Sequence, residues 1–308
     1  MDGDLSLARF ETWHGAETDV LAGVQRVTAH PGFAAASRAL ASGMLDLAGS
    51  DRALDAIFKD AGRYAATMWA FALHEDGGLT LPRLKAVCAR SGLLSAGRVR
   101  TLLQFLEHFG YVQKQPGPLR GALYIPSAAF RAAWDRQFVV ALQAARQIAP
   151  EIGILLEGAW LDERHAYGRI HAAGMLAAMQ EEPQVSALLR VFLHPYAGSH
   201  LLWTLIATCA DLEFPPRRCG PVSIAGLART CGVSRVQVAR IFHEAACERL
   251  ATLDSDGMVH FHDGAHEQLR FFYAIQFVQI LAAAAQAVHL RELDQICAVA
   301  ARNEEAAS

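Results

Sequence analysis

The stretch Leu227-Ala228-Arg229-Thr230-Cys231-Gly232-Val233-Ser234-Arg235-Val236-Gln237-Val238-Ala239-Arg240 has the spacing of two short helices that meet at one tight turn. Ala228 is small enough for the helices to cross closely, Gly232 permits the turn, and Val233 plugs the space between them. Ser234 is suited to cap the second helix, because its hydroxyl can accept from a backbone N–H left open in the first helical turn. Val238 and Ile241-Phe242 then face inward, which leaves Arg235, Gln237, Arg240 and His243 as the more exposed positions.

Outward from this stretch, the chain matches itself at an offset of about 139 residues. Cys88-Ala89-Arg90-Ser91 lies over Leu227-Ala228-Arg229-Thr230, Ser95 over Ser234, Val99 over Val238, and Gln137-Phe138 over Gln276-Phe277, a register of about fifty residues. Upstream, Ala61-Gly62 pairs with Ala197-Gly198 at 136, so the second copy needs about three extra residues, placed around Pro215-Pro216-Arg217-Arg218. Each copy reads as a long apolar helix (51–74, 185–211), a short helix (80–90, 222–230) and a second short helix (95–109, 234–249). A two-stranded hairpin and another long helix (127–148, 264–298) complete it. The hairpins run from Tyr111-Val112 to Ala122-Leu123-Tyr124-Ile125, and from Ala251-Thr252-Leu253 to Met258-Val259-His260-Phe261 across Asp256-Gly257, a strong turn dipeptide. In the first copy Gly92 stands one place earlier than Gly232, which predicts a slightly different turn. Ser95 still caps a helix whose Val99, Leu102-Leu103, Leu106 and Phe109 form the inward stripe, leaving Ala96, Gly97, Arg98, Arg100, Thr101 and Gln104 nearer solvent.

At its diagnostic positions the segment 227–240 resembles the helix-turn-helix of bacterial transcription regulators, and with the hairpin behind it each copy resembles a winged helix. The flanking long helices are similar to the dimerisation helices of MarR-type regulators. The resemblance implies a mainly α fold in which two winged-helix units, joined by long helices, form a pseudo-dimer within one chain. The units divide as an N-terminal helical arm over 1–50, a first unit over 51–150 and a second over 151–308. It implies a regulator of transcription that binds double-stranded DNA through two non-identical recognition helices in adjacent major-groove segments. The implied DNA-binding residues are Ser95, Ala96, Arg98, Arg100, Thr101 and Gln104 in the first copy, and Ser234, Arg235, Gln237, Arg240 and His243 in the second. Lys114 and Arg120 on the first wing are expected to meet phosphates. A small apolar effector between the halves is also implied, with Trp69, Phe71, Trp134, Trp160, Tyr167, Tyr196 and Trp203 as candidate lining; the plainer reading of these aromatics is core packing.

Charge separates the copies. Over 80–126 seven basic residues (Arg83, Lys85, Arg90, Arg98, Arg100, Lys114, Arg120) stand against Glu107, a net of +6; over 219–265 four stand against Glu244, Glu248, Asp254, Asp256 and Asp263, a net of −1. The first is prepared for phosphate, whereas Asp254 and Asp256 on the second wing should repel it. The alternative is therefore a winged-helix interaction module whose second copy holds a protein partner, with weak or no DNA binding.

The remaining features exclude more than they assign. A chain of 308 residues with 53% hydrophobic and 19% charged residues and a net charge of −3 is neither disordered nor a uniformly basic nucleic-acid coat. No phosphate loop, GxGxxG or nucleophile elbow is present, so no enzyme and no cofactor is expected. His260, His262 and His266, with Asp263 and Glu267 nearby, read as surface residues rather than metal ligands. Six cysteines without a CxxC pair suit a reducing, cytoplasmic setting as buried structural thiols, with oxidant sensing at Cys219 and Cys231 as the alternative beside nearby arginines. Met1 to Asp19 lacks the layout of a signal peptide, and Phe271 to Leu290 reads as a helix buried between protein layers rather than a membrane span, because Gln276, Gln279, Gln286 and His289 interrupt it.

Overall fold

Aspartates set the boundaries of the first helices. Asp19 caps α1 (Val20–Ala29) by accepting from the Ala22 N–H at 3.0 Å. Asp51 closes α2 (Phe33–Ser50) and caps α3 (Arg52–Phe58), and Asp60 caps α4 (Ala61–Glu75). The single helix expected over 51–74 is thus two, because Asp60 takes an extended backbone and gives the open Arg63 N–H its partner. The first copy continues through β1 (Leu79–Thr80), α5 (Leu81–Ser91), α6 (Ala96–His108), β2 (Val112–Pro116), β3 (Ala122–Pro126) and α7 (Ala128–Ala145). A 3₁₀ segment, Pro150–Leu156, leads to α8 (Leu161–Ala178).

The second copy opens with a π-helical turn, Leu189–Leu193, before α9 (Gly198–Ala207). The helix expected over 185–211 is therefore also broken, here by Pro195, which has no N–H to continue the ladder. Then come β4 (Arg218–Cys219), α10 (Ile224–Cys231), α11 (Arg235–Cys247), β5 (Ala251–Leu253), β6 (Val259–Phe261) and α12 (Asp263–Ala306). The computed structural model describes residues 13, 19–92, 94–117, 121–178, 186–209 and 213–306, with backbone alone beyond 293. The fold is mainly helical, with two small antiparallel sheets ordered β1-β3-β2 and β4-β6-β5. The two-residue edge strands β1 and β4 are too short to show an alternating pattern, so the sequence points to the hairpins alone.

The two copies agree in detail up to the hairpin. Helices α6 and α11 are each thirteen residues long, and each ends on a residue with φ −82° and ψ 4°. A left-handed residue follows in both, Gly110 at φ 69° and Arg249 at φ 53°. The next N–H, of Tyr111 or Leu250, donates to Leu106 or Ala245 at 2.8 Å. The register then changes: Val112 pairs with Pro126, but Ala251 pairs with Phe261, so the second hairpin is four residues shorter. Gln137-Phe138 and Gln276-Phe277 are consequently not equivalent along their helices. Four residues make about one helical turn, so Phe138 and Phe277 nonetheless both face the core.

Helix α2 lies between α7 of the first copy and α9 of the second, burying Ala36, Leu40, Ala41, Met44 and Leu47. Gly43 makes the close approach to α7 possible, since a Cβ there would sit 2.6 Å from Val140. Helix α12 packs on α8 and α1, so the N-terminal helices belong to the core that both copies share. An aromatic cluster of Phe58, Tyr64, Phe130, Trp134 and Phe138 fills that core beside α3. Among the described residues, Asp263–Leu293 is the one helical stretch long and apolar enough to cross a membrane, and most of it is buried against the protein.

Trp134 is fully buried, so Trp134→Ala should lower unfolding free energy by about 3–5 kcal/mol, whereas Trp134→Phe, which also removes an unpartnered indole N–H, should cost much less. Denaturant titration followed in both copies would check this, and with a shared core both should unfold in one transition.

Candidate nucleic-acid interface

Helices α10 and α11 meet across Gly232, whose φ of 62° lies in the left-handed region. The Val233 N–H closes the turn on the Ala228 carbonyl at 2.9 Å, and Ser234 Oγ accepts from Gln237 N–H at 3.1 Å. Helices α5 and α6 meet across Gly92 at φ 69°, and Ser95 Oγ accepts from Arg98 N–H at 3.4 Å. The displaced glycine thus serves the same left-handed role in the first copy, with one more residue before the cap.

Along α6, Ala96, Arg98, Arg100, Thr101 and Gln104 are exposed, as are Arg235, Arg240 and His243 on α11; Gln237 is half-buried. Both serine caps and Lys114, on β2 opposite Tyr124, also face solvent. Arg120 lies outside the described residues. Val99, Leu102, Leu103, Leu106, Val238, Ile241 and Phe242 are buried. Phe109 is not part of the inward stripe: it caps the helix end, is 36% exposed and packs on Phe105 with ring centroids 4.6 Å apart.

Several expected readers are already engaged. The Arg98 guanidinium pairs with the Asp60 carboxylate. Gln237 Nε2 donates to the Tyr196 carbonyl at 3.0 Å, and its Oε1 accepts from Arg240 Nη2 at 3.0 Å. Thr101 Oγ1 donates back to the Gly97 carbonyl at 3.2 Å. Asp254 has a local role besides its charge: it accepts from the turn N–H groups of Asp256 and Met258 and bonds His260 at 2.8 Å. The His260 bond, followed by those backbone donors, holds its carboxyl below the usual range.

These contacts follow the internal symmetry. Arg98 and Gln237 are each the third residue of their helix, 139 apart; Asp60 and Tyr196 each precede the matched Ala-Gly pair, 136 apart. Each copy therefore ties the start of its outward helix to the corner before its Ala-Gly pair. Residue matching misses this, because one acceptor is a side chain and the other a backbone carbonyl.

The same corner joins the copies. The Lys59 carbonyl accepts from the Ala197 N–H at 2.7 Å, while Lys59 Nζ pairs with Asp55 at 2.5 Å. A Cβ on Gly232 would lie 3.0 Å from that Nζ, so the ammonium abuts the α10–α11 turn. His200 Nε2 reaches Asp55 from α9 at 3.1 Å. Burial drives His200 down to about 4, with Lys59 adding to the effect and Asp55 opposing it. Burial pushes the Cys231 thiol up to about 11, and no second described cysteine sulfur lies against it.

Between the copies lies a cavity of ≈ 530 Å³ lined by Phe58, Tyr64, Leu193, Trp203, Phe271 and Ile275 among others. Of the aromatics considered for such a pocket, Trp203 alone lines it. Trp69, Phe71, Trp134 and Tyr167 pack in the core, Tyr196 is exposed, and Trp160 stacks under Arg291 at 4.0 Å. Among the described residues no three His, Cys, Asp or Glu side chains gather in a metal-holding group. The chain has no match among models of protein families, curated proteins or solved structures.

Burial also lowers His171 to about 4, so both histidines favour the neutral form when folded and regain 6.5 when unfolded. Their stability contribution is complete above pH 6.5 and is lost as pH falls towards 4, by up to about 3 kcal/mol each. Urea titrations across this range should show the decline, and His200→Gln should make it shallower.

Proposed function

We propose that the protein is a cytoplasmic transcription regulator that binds duplex DNA as a tandem winged-helix pseudo-dimer. The observation that carries this reading is the paired placement of α6 and α11: each follows a left-handed glycine and a serine cap, presents arginines outward, and is tied at its third residue to the corner before the Ala-Gly pair. A helix entering the major groove needs long donors near its start, and Arg98, Arg100, Arg235 and Arg240 stand there. Because the two helices carry different side chains, the half-sites they read differ. The first head supplies most of the phosphate attraction, through its net charge of +6 and through Lys114 and Arg120. The Asp60 carboxylate competes with phosphate for Arg98.

The cavity between the copies suits a small apolar effector, since its wall residues Phe58 and Ala61 flank Lys59 and Asp60. A ligand that moves this wall moves the corner to which both outward helices are tied. A second reading, a protein-interaction module, draws on Val236: it is 77% exposed on α11, beside a head of net charge −1.

Fluorescence anisotropy against a random duplex pool and the gene's own upstream region, at two salt concentrations, tests the proposal. We expect sequence-selective binding that weakens with salt. Arg100→Ala should weaken it and relax base preference, whereas Lys114→Ala should weaken all sequences evenly and reduce the salt slope by about one. Asp60→Asn, which keeps a capping side chain but frees Arg98, should tighten binding and steepen the slope. No binding at low salt would favour the interaction module, and loss of protein-partner capture by Val236→Lys would support it.

A further inference from the structure

Cys209 and Cys219 bring their sulfurs together across the loop that leads from α9 into the second sheet. Cys209 stands two residues beyond the end of α9, and Cys219 is the second residue of β4, opposite Val259 of β6. Their Sγ atoms are 2.6 Å apart, and Cys209 Sγ also lies 2.8 Å from the Arg218 carbonyl oxygen. Both residues are buried, 8% and 2% exposed. A disulfide needs sulfurs about 2.05 Å apart, so the pair stands about 0.5 Å from bonding distance. No other pair of the described cysteines is in sulfur contact: Cys88 and Cys231 are buried separately, and Cys247 is exposed beside His243.

We infer that Cys209 and Cys219 are a modification site, a dithiol that a small hydroperoxide converts reversibly into a disulfide. One thiolate attacks the peroxide oxygen; the O–O bond breaks, water or an alcohol leaves, and the sulfur becomes a sulfenic acid. The second thiol attacks that sulfur, the S–S bond forms, the S–O bond breaks, and the hydroxyl departs as water with the thiol proton. Two thiols are oxidised and one peroxide bond is reduced. Burial selects a small oxidant over a bulky disulfide such as oxidised glutathione. In a reducing compartment the bond is transient, as regulatory disulfides are.

Because the sulfurs already touch, the bond leaves the backbone nearly where it is. Its effect is to tether the end of α9 to β4, and so to the β6 strand that β4 pairs with. The second sheet then opens less often, since the bond removes chain freedom from its unfolded state. This inference stands independently of DNA binding.

The test uses the Cys247→Ser protein, which lacks the one thiol that is exposed among the described residues. It is exposed to hydrogen peroxide, denatured, alkylated and mapped by mass spectrometry. We expect a peptide joining Cys209 to Cys219, two hydrogens lighter than the reduced form, reversed by dithiothreitol and missing when Cys209→Ser is added. Amide exchange at Cys219 and Val259 should slow in the oxidised protein. Full alkylation of both thiols after peroxide, or sulfinic acid at either without a linked peptide, would overturn the inference. Linkage with unchanged exchange would overturn the tethering role. The linked peptide is read in the parent protein, so a Cys209→Ser chain that fails to fold does not obscure the result.

Discussion

The two oxygens of the Asp60 carboxylate hold separate parts of the molecule in place. Oδ1 accepts from the Arg63 N–H and starts α4; Oδ2 takes the Arg98 guanidinium and fixes the start of α6. One residue earlier, Lys59 meets the second copy through its carbonyl and through the approach of its ammonium to the Gly232 turn, while Asp55, which pairs with that ammonium, is reached by His200 of α9. A buried charge is tolerated only when its partners are supplied: here Arg63 and Arg98 serve Asp60 and Asp55 serves Lys59, while the second copy adds His200 at Asp55 and the Ala197 N–H at the Lys59 carbonyl. The corner therefore sets where α6 and α11 stand relative to one another.

Around this corner the symmetry is kept in geometry and relaxed in chemistry. The helix lengths, serine caps and end dihedrals of α6 and α11 agree, yet Asp60 is answered in the second copy by the Tyr196 carbonyl. The second hairpin loses four residues, and its turn is built by Asp254 rather than by a longer loop. Charge follows the same division, with the basic side chains gathered on the first copy. Two segments of matching backbone geometry thus carry two unlike surfaces. For the regulator proposed above, this makes the first copy the stronger source of phosphate affinity and leaves the second with the more apolar outward face at Val236.

The elements most legible in the chain were those governed by local chemistry. Gly232 and Gly92 mark left-handed turns, Ser95 and Ser234 cap helices, and Val99, Val238 and Ile241 turn inward, all because the forces involved act within one or two helical turns. The hairpins were legible for the same reason. The breaks at Asp60 and Pro195 escaped a reading dominated by apolar content, although both residues carry a local signal, a cap and a missing N–H. The edge strands β1 and β4 carried none, since two residues cannot display a period.

Local spacing and the internal repeat were enough to set the two short helices and the hairpin of each copy, most of the inward stripes and the exposed arginines of each outward helix. They could not say which exposed side chains are occupied. Arg98 and Gln237 look as available as Arg100 and Arg235 in the sequence, and they differ because Asp60 and Tyr196 arrive from 38 and 41 residues away. The cavity between the copies and the meeting of Cys209 with Cys219 likewise depend on how whole helices and strands pack. Such contacts arise from burial of apolar faces, which is non-directional, so their partners exist only once the core has assembled.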